Sequence, residues 1–199
     1  MDPSFEREAA QGPARLDRLD RLDRLDRLAD KLEIADVLAR YCRGVDRCDL
    51  DTLTSVYHPD ATDDHGTFRG PAHEFAAWAV QGARQFWHSS HHSVHNVLVE
   101  WISEDAAHVE SYVLGFNRRL SVPSHPPDDG EVEVFAGRYV DRFERRLGLW
   151  KIAHRQALRD VDTLLDRQRW AGRIPEGARF PDDPVYQQRP ADHPDFPGP

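Results

Sequence analysis

The residues best suited to chemistry lie between Ser89 and Trp101, in the run Ser-Ser-His-His-Ser-Val-His-Asn-Val-Leu-Val-Glu-Trp. Val97, Leu98 and Val99 are strand formers. On a strand that begins near His92, side chains alternate between two faces. His92, Val94, Asn96 and Leu98 then share one face, and Ser93, His95, Val97 and Val99 share the other. A histidine and an asparagine on an otherwise apolar face suit a base and its orienting partner inside a pocket. Histidine titrates near neutrality, and a positioned general base typically supplies about 10²- to 10⁴-fold in rate. A one-residue slip in strand register would hand this role to His91.

Loss of water beside an acidic C–H needs more than a base. It needs a group that polarises the substrate and help for the departing hydroxyl. Asp46 can hold the far nitrogen of a histidine, fix its tautomer and favour the imidazolium that forms. Tyr41 can donate its hydroxyl to a carbonyl or a departing oxygen. Arg155 is always charged and can hold an enolate or carboxylate oxygen. On its strand Arg155 shares a face with Ala153 and Ala157, small neighbours that leave room for a ligand. Each residue also has a purely structural alternative. Asp46 can cap its helix, Tyr41 can be core, Arg155 can pair with Asp141, and Asn96 can bond backbone. Tyr41 and Asp46 are about 140° apart on an ideal helix, so both face one pocket only if the helix unwinds near Gly44.

His88, His91, His92 and His95 would share a face of a helix and could hold zinc there. Ser89-Ser90 and the β-rich sequel end the helix before them, and no Cys, Asp or Glu joins the run. Neither a metal nor an organic cofactor is expected.

Several elements must position these groups. Residues 1 to about 14 mix Pro, Gly and charge and read as disordered. An Arg-Leu-Asp repeat follows from Arg15 to Asp26. Its i, i+4 Asp–Arg pairs support a helix. Leucines every third residue wind round a helix of about 3.6 residues per turn, so residues 1–29 read as a solvated extension. Ile34, Val37, Leu38, Tyr41, Cys42 and Val45 form a strong amphipathic stripe. A short helix, Leu50 to Tyr57, follows, capped by Asp49 or Asp51. His58-Pro59-Asp60 reads as a breaker, residues 60–70 as a small hairpin or irregular strand, and His58 and His65 as turn residues. Gly70-Pro71 opens a third helix, with Phe75, Trp78, Ala79, Ala83, Phe86 and Trp87 on its apolar face. Strands are expected over 92–102, 108–120, 131–146 and 149–161, with a Pro-rich loop over 121–130. A domain over 30–165 precedes a Pro-rich tail over 166–199, with a short helix over 163–170. Helices followed by long antiparallel strands predict an α+β domain, a cone-like curved antiparallel sheet with three N-terminal helices enclosing a pocket.

Composition excludes whole classes of function. The chain has 199 residues, 39% hydrophobic and 31% charged, with a formal net charge of −9. An acidic balance argues against nucleic acid or an anionic membrane as partner. The longest apolar run, Phe75 to Val80, is too short to span a bilayer, and the N-terminus lacks a signal-peptide core. The spacing of Cys42 and Cys48 is not that of a zinc or redox pair, which points to reduced thiols in the cytoplasm.

The order of motifs adds a resemblance. Tyr41-Cys-Arg-Gly-Val-Asp46, Tyr57-His-Pro-Asp-Ala61, His92-x-x-x-Asn96, Gly137-Arg-Tyr139, Gly148-Leu-Trp-Lys-Ile152 and Arg155 together resemble the SnoaL-like family. That family belongs to the nuclear-transport-factor-2-like superfamily of cone-shaped α+β folds, and the likeness covers roughly residues 30–165. Within it the pattern is similar to bile-acid 7α-dehydratases and hexachlorocyclohexane dehydrochlorinase, and more distantly to scytalone dehydratase. These eliminate water or HCl without metal or organic cofactor. The resemblance implies catalytic roles for His92, Asp46, Tyr41 and Arg155. Where scytalone dehydratase has a second histidine, this chain has Asn117, so that mechanism does not transfer whole.

The expected pocket lining includes Tyr57, Phe68, Trp78, Phe86, Trp87, Val94, Leu98, Phe116 and Phe135, residues that would serve equally as plain core. Asn96, Tyr57, Trp78, Phe116 and Asn117 are the expected substrate contacts. An aromatic cavity suits a steroid, terpenoid or polyketide substrate. The reading is a dehydratase acting on a small hydrophobic hydroxylated molecule and assembling as a homodimer or homotrimer. An isomerase or polyketide cyclase with the same dyad stays open. So does a non-catalytic subunit such as the small chain of a ring-hydroxylating oxygenase.

Overall fold

The computed structural model describes residues 3–120, 131–165, 178–183 and 186. A single long helix, α1 (Pro3–Arg47), opens the chain. The helix is continuous through residues 3–14, where disorder was expected, and does not unwind near Gly44. Ile34, Val37, Leu38, Tyr41 and Cys42 are buried, as their helical spacing requires. Leu22 and Leu25 of the repeat, and Leu28 just after it, are exposed, because a period of three carries them round the helix. Asp30 is where α1 becomes fixed to the sheet. It accepts hydrogen bonds from Trp150 Nε1 (2.9 Å) and Arg145 (3.0 Å). Arg27 lies 4.5 Å from the Trp101 ring centroid.

Helix α2 (Leu50–Ser55) is capped by Asp49, whose Oδ1 accepts from the Thr52 N–H at 3.0 Å. Strand β1 (Tyr57–Asp64) starts at once, so His58-Pro59 lies within a strand and not in a turn. The His58 ring donates to the Glu144 carbonyl at 2.9 Å. Strand β2 (Arg69–Pro71) folds back on β1, and helix α3 (Ala72–Phe86) follows. Four long strands complete the domain: β3 (Trp87–Trp101), β4 (Ala106–Arg119), β5 (Val132–Arg146) and β6 (Leu149–Leu165). They form one sheet in the order β2-β1-β6-β5-β4-β3, in which β1 and β6 run parallel and the other pairs antiparallel. The result is α+β, with the helices packed on one face of a curved open sheet. Strand β6 occupies residues 163–165, the start of the expected short helix. The rest of that helix, the 121–130 loop and most of the tail lie outside the described residues.

Residues 178–183 return to the end of α1. The Phe180 N–H donates to the Arg47 carbonyl (2.8 Å), and Arg179 donates to the Trp87 carbonyl (2.7 Å). Among the described residues, no helix is long and apolar enough to cross a membrane.

Gly44 brings α1 and α2 together. A Cβ there would sit 2.8 Å from Leu53 N and Cα, closer than packed atoms can come. Gly44→Ala must therefore push two helices apart. It is expected to lower stability by about 1–3 kcal/mol, read as a fall in thermal midpoint with the fold retained.

Candidate active site

The cone encloses a cavity of about 610 Å³, within the range of small-molecule sites. Its polar groups are Tyr41 from α1, His65 beside β1, Gln81 and Gln85 from α3, Ser90 and His92 from β3, Asn117 from β4 and Arg159 from β6. Aromatic walls come from Phe75, Trp78, Phe86, Trp87, Phe135 and Tyr139.

His92 reaches the cavity because β3 alternates. Ser90, His92 and Val94 turn inward, whereas His91 is exposed and borders a separate cleft with His88 and Phe116. Register thus selects His92 over His91 for the cavity, and the histidine run presents no common face. Among the described residues no group of three His, Cys, Asp or Glu is disposed to hold a metal ion.

Asp46, 7% exposed, grips His92 at two points. His92 Nδ1–H donates to Oδ1 at 2.6 Å, and the His92 backbone N–H donates to Oδ2 at 2.9 Å. This fixes the ring's tautomer and leaves Nε2 as its free nitrogen. Asp46 itself does not line the cavity. The 140° separation from Tyr41 is therefore no obstacle. One residue faces the cavity while the other meets the histidine from behind.

Phe135 supports the ring edge-on at a centroid distance of 5.5 Å. Gly115 makes this possible, since it pairs with both His92 and Phe135 across the sheet. A Cβ at Gly115 would collide with the Phe135 ring.

Tyr41 is buried, and burial raises its pKa well above the usual tyrosine value. It remains a proton donor at any ordinary pH. Cys42 is similarly pushed up by burial, to about 12, so the thiol is inert as a nucleophile.

Arg155 is 0% exposed and does not line the cavity. Asp141, directly opposite on β5, accepts from Nε at 2.8 Å and from Nη2 at 2.6 Å. The guanidinium packs against two rings that meet edge to face, 4.1 Å from the Tyr41 centroid and 4.0 Å from that of Tyr139. Of its small neighbours, Ala157 lines the cavity while Arg155 itself is closed off by these rings. Arg155 holds Tyr41 in place and is not disposed to touch a substrate.

Other expected contacts divide. Trp78 and Asn117 line the cavity; Asn96, Tyr57 and Phe116 do not. Asn96 has φ +51° at a register shift between His95 and Leu98. That bulge inserts one residue and reverses the alternation, so Asn96 is exposed and Val99 becomes the inward residue. Tyr57 is core, and its hydroxyl donates to Asp63 at 2.7 Å. Phe116 lies on the outer face beside His91.

One site residue escaped the sequence reading. His65 was expected in a turn, yet its ring stacks on Phe75 (centroids 4.2 Å apart) and borders the cavity. Its Nδ1 contacts Asp63, and its Nε2 lies 3.3 Å from Tyr41 Oη. The available signal was the spacing Asp63-x-His65, which puts two side chains on one face of an extended chain.

The profile of the SnoaL-like domain matches residues 26–156. No curated protein matches the chain. Among solved structures, it is similar to a hexachlorocyclohexane dehydrochlorinase from Novosphingobium barchaimii LL02 at 25% identity. That likeness covers 74% of this chain and 98% of the other, with TM-score 0.63. A second hexachlorocyclohexane dehydrochlorinase, of type 2, is 24% identical over 75% of this chain and 97% of its own, with TM-score 0.64. A scytalone-dehydratase-like protein from Novosphingobium aromaticivorans DSM 12444 shares the fold. It is 20% identical over 73% of this chain and 92% of its own, with TM-score 0.60. With the family profile spanning most of the helices and sheet that build the cavity, this chain belongs to the SnoaL-like domain family, on the nuclear-transport-factor-2-like fold.

Proposed function

We propose that the chain is a cofactor-independent lyase that removes water from a small hydrophobic hydroxylated molecule of steroid, terpenoid or polyketide type. The observation that carries the reading is the two-point grip of Asp46 on His92 at the wall of an aromatic cavity. In this reading His92 Nε2 removes a proton from the carbon beside the substrate's activating group. Asp46 holds the ring and stabilises the imidazolium that forms. Tyr41 donates to the departing oxygen, on which negative charge develops as the C–O bond breaks. Trp78, Phe86 and Phe135 supply apolar surface, and Asn117 and Ser90 offer polar contacts for orientation. The similarity to hexachlorocyclohexane dehydrochlorinase, an eliminating enzyme, supports the same reaction class. An open cavity also speaks against a purely accessory subunit, which would need none.

The test is incubation with a panel of hydroxysteroids and hydroxylated polyketides, with products weighed by mass spectrometry. Products lighter by one water are expected. Products of unchanged mass would make the chain an isomerase or cyclase with the same dyad. No conversion across the panel, with the fold intact, would remove the catalytic reading. The same reading includes self-association through the outer sheet face, where Leu98, Tyr112 and Phe116 are exposed. Light scattering is expected to give a dimer or trimer; a monomer would discard that part.

A further inference from the structure

A second histidine–carboxylate pair lies on the hairpin side of Tyr41, with His65 at the cavity wall and Asp63 buried behind it. Asp63, 1% exposed, contacts His65 Nδ1 through one oxygen and accepts from Tyr57 Oη at 2.7 Å through the other. His65 Nε2 faces Tyr41 Oη at 3.3 Å. Three buried charges stand in one row across the sheet: Asp63 on β1, Arg155 on β6 and Asp141 on β5. Arg155 is committed to Asp141. Two carboxylates against one guanidinium leave the row one positive charge short, and burial makes an uncompensated carboxylate costly. His65, against Asp63, is the group able to supply that charge.

Resting on the dehydratase reading, we propose that His65 is the proton source behind Tyr41 and that the pair protonates the departing hydroxyl. His92 Nε2 takes the proton from carbon, and that C–H electron pair becomes the new C=C bond. The C–O bond breaks with its electron pair on oxygen. That oxygen takes the phenolic proton of Tyr41 and leaves as water. Tyr41 Oη regains a proton from His65 Nε2, and His65 stays neutral with its remaining proton on Nδ1 toward Asp63. The cycle leaves His92 with one proton more and His65 with one fewer, and exchange with solvent resets both. Because burial holds Tyr41 in its protonated form, the phenol passes a proton on and does not rest as phenolate. His65 acts through Tyr41 and is a positioning and proton-supplying residue.

The leaving group separates this role from the others. Hydroxide needs a proton to depart; chloride does not. Wild type, His65→Gln, Tyr41→Phe and His92→Gln are assayed on a matched set of bicyclic β-hydroxyketones and their β-chloro counterparts. His65→Gln and Tyr41→Phe are expected to lose about 10²-fold or more on the hydroxy compounds and only a few-fold on the chloro compounds. His92→Gln is expected to lose activity on both. Equal losses on both leaving groups in His65→Gln, or no loss on either, would overturn the relay while leaving the His92 base standing. A wild type that converts neither set would remove the dehydratase reading and this one with it. The two near-isosteric variants check each other, since a folding defect in one would not reproduce the leaving-group pattern in the other.

Discussion

His92→Gln is expected to lower kcat of the converted substrate by about 10²- to 10⁴-fold, the usual worth of a positioned base. KM should change little. Glutamine keeps the length of the side chain and a donor for Asp46, so the β3 backbone bond to Asp46 Oδ2 has no reason to break. Asp46→Asn should fall within the same range by a different route. An amide can no longer demand the proton on Nδ1, and the ring can present N–H to the cavity in place of a lone pair. Both variants should unfold near the wild-type temperature. The double variant should be little worse than either single one, because two members of one device are not additive. Single-turnover rates with matched melting curves check all of this. Full turnover in both single variants would take the dyad out of the mechanism.

The second large effect falls on stability. Asp141→Asn leaves the Arg155 guanidinium buried at 0% exposure without its counter-charge. Removing one member of a buried ion pair costs about 3–5 kcal/mol. For a chain of this size that is a drop of about 10 °C in thermal midpoint. Activity should fall as well, through Tyr41, whose ring rests on the same guanidinium. Replacing Arg155 and Asp141 together by apolar residues of similar volume should recover much of the stability, because it removes the desolvated charges along with the pair. Thermal and denaturant unfolding of the single and double variants decide the matter. Equal stability of Asp141→Asn and wild type would show that the pair carries no such cost.

What sequence alone determined was whatever depends on local periodicity. The stripe from Ile34 to Cys42 had to become one buried helix face, because its spacing matches the helical repeat and burial of that face outweighs exposure. Alternation around His92 had to set His91 and His92 on opposite faces, since a strand repeats every second residue, and the pairing register then chose which of them faced inward. Asp46 was singled out by the resemblance to the SnoaL-like family and not by any local pattern.

Contacts made across the chain were decided only by the tertiary structure. The inserted residue at Asn96 reversed the alternation, and nothing within the strand's own pattern marks where a bulge falls. Arg155 had two readings until β5 set Asp141 opposite it and two tyrosine rings closed over it. His65 read as a turn residue until the parallel pairing of β1 with β6 set it at the cavity wall with Asp63 buried behind it. Periodicity follows from neighbours along one chain and is written in order. A charge pair, a ring stack or a bulge depends on which strand arrives opposite, and that is set by packing the whole sheet at once.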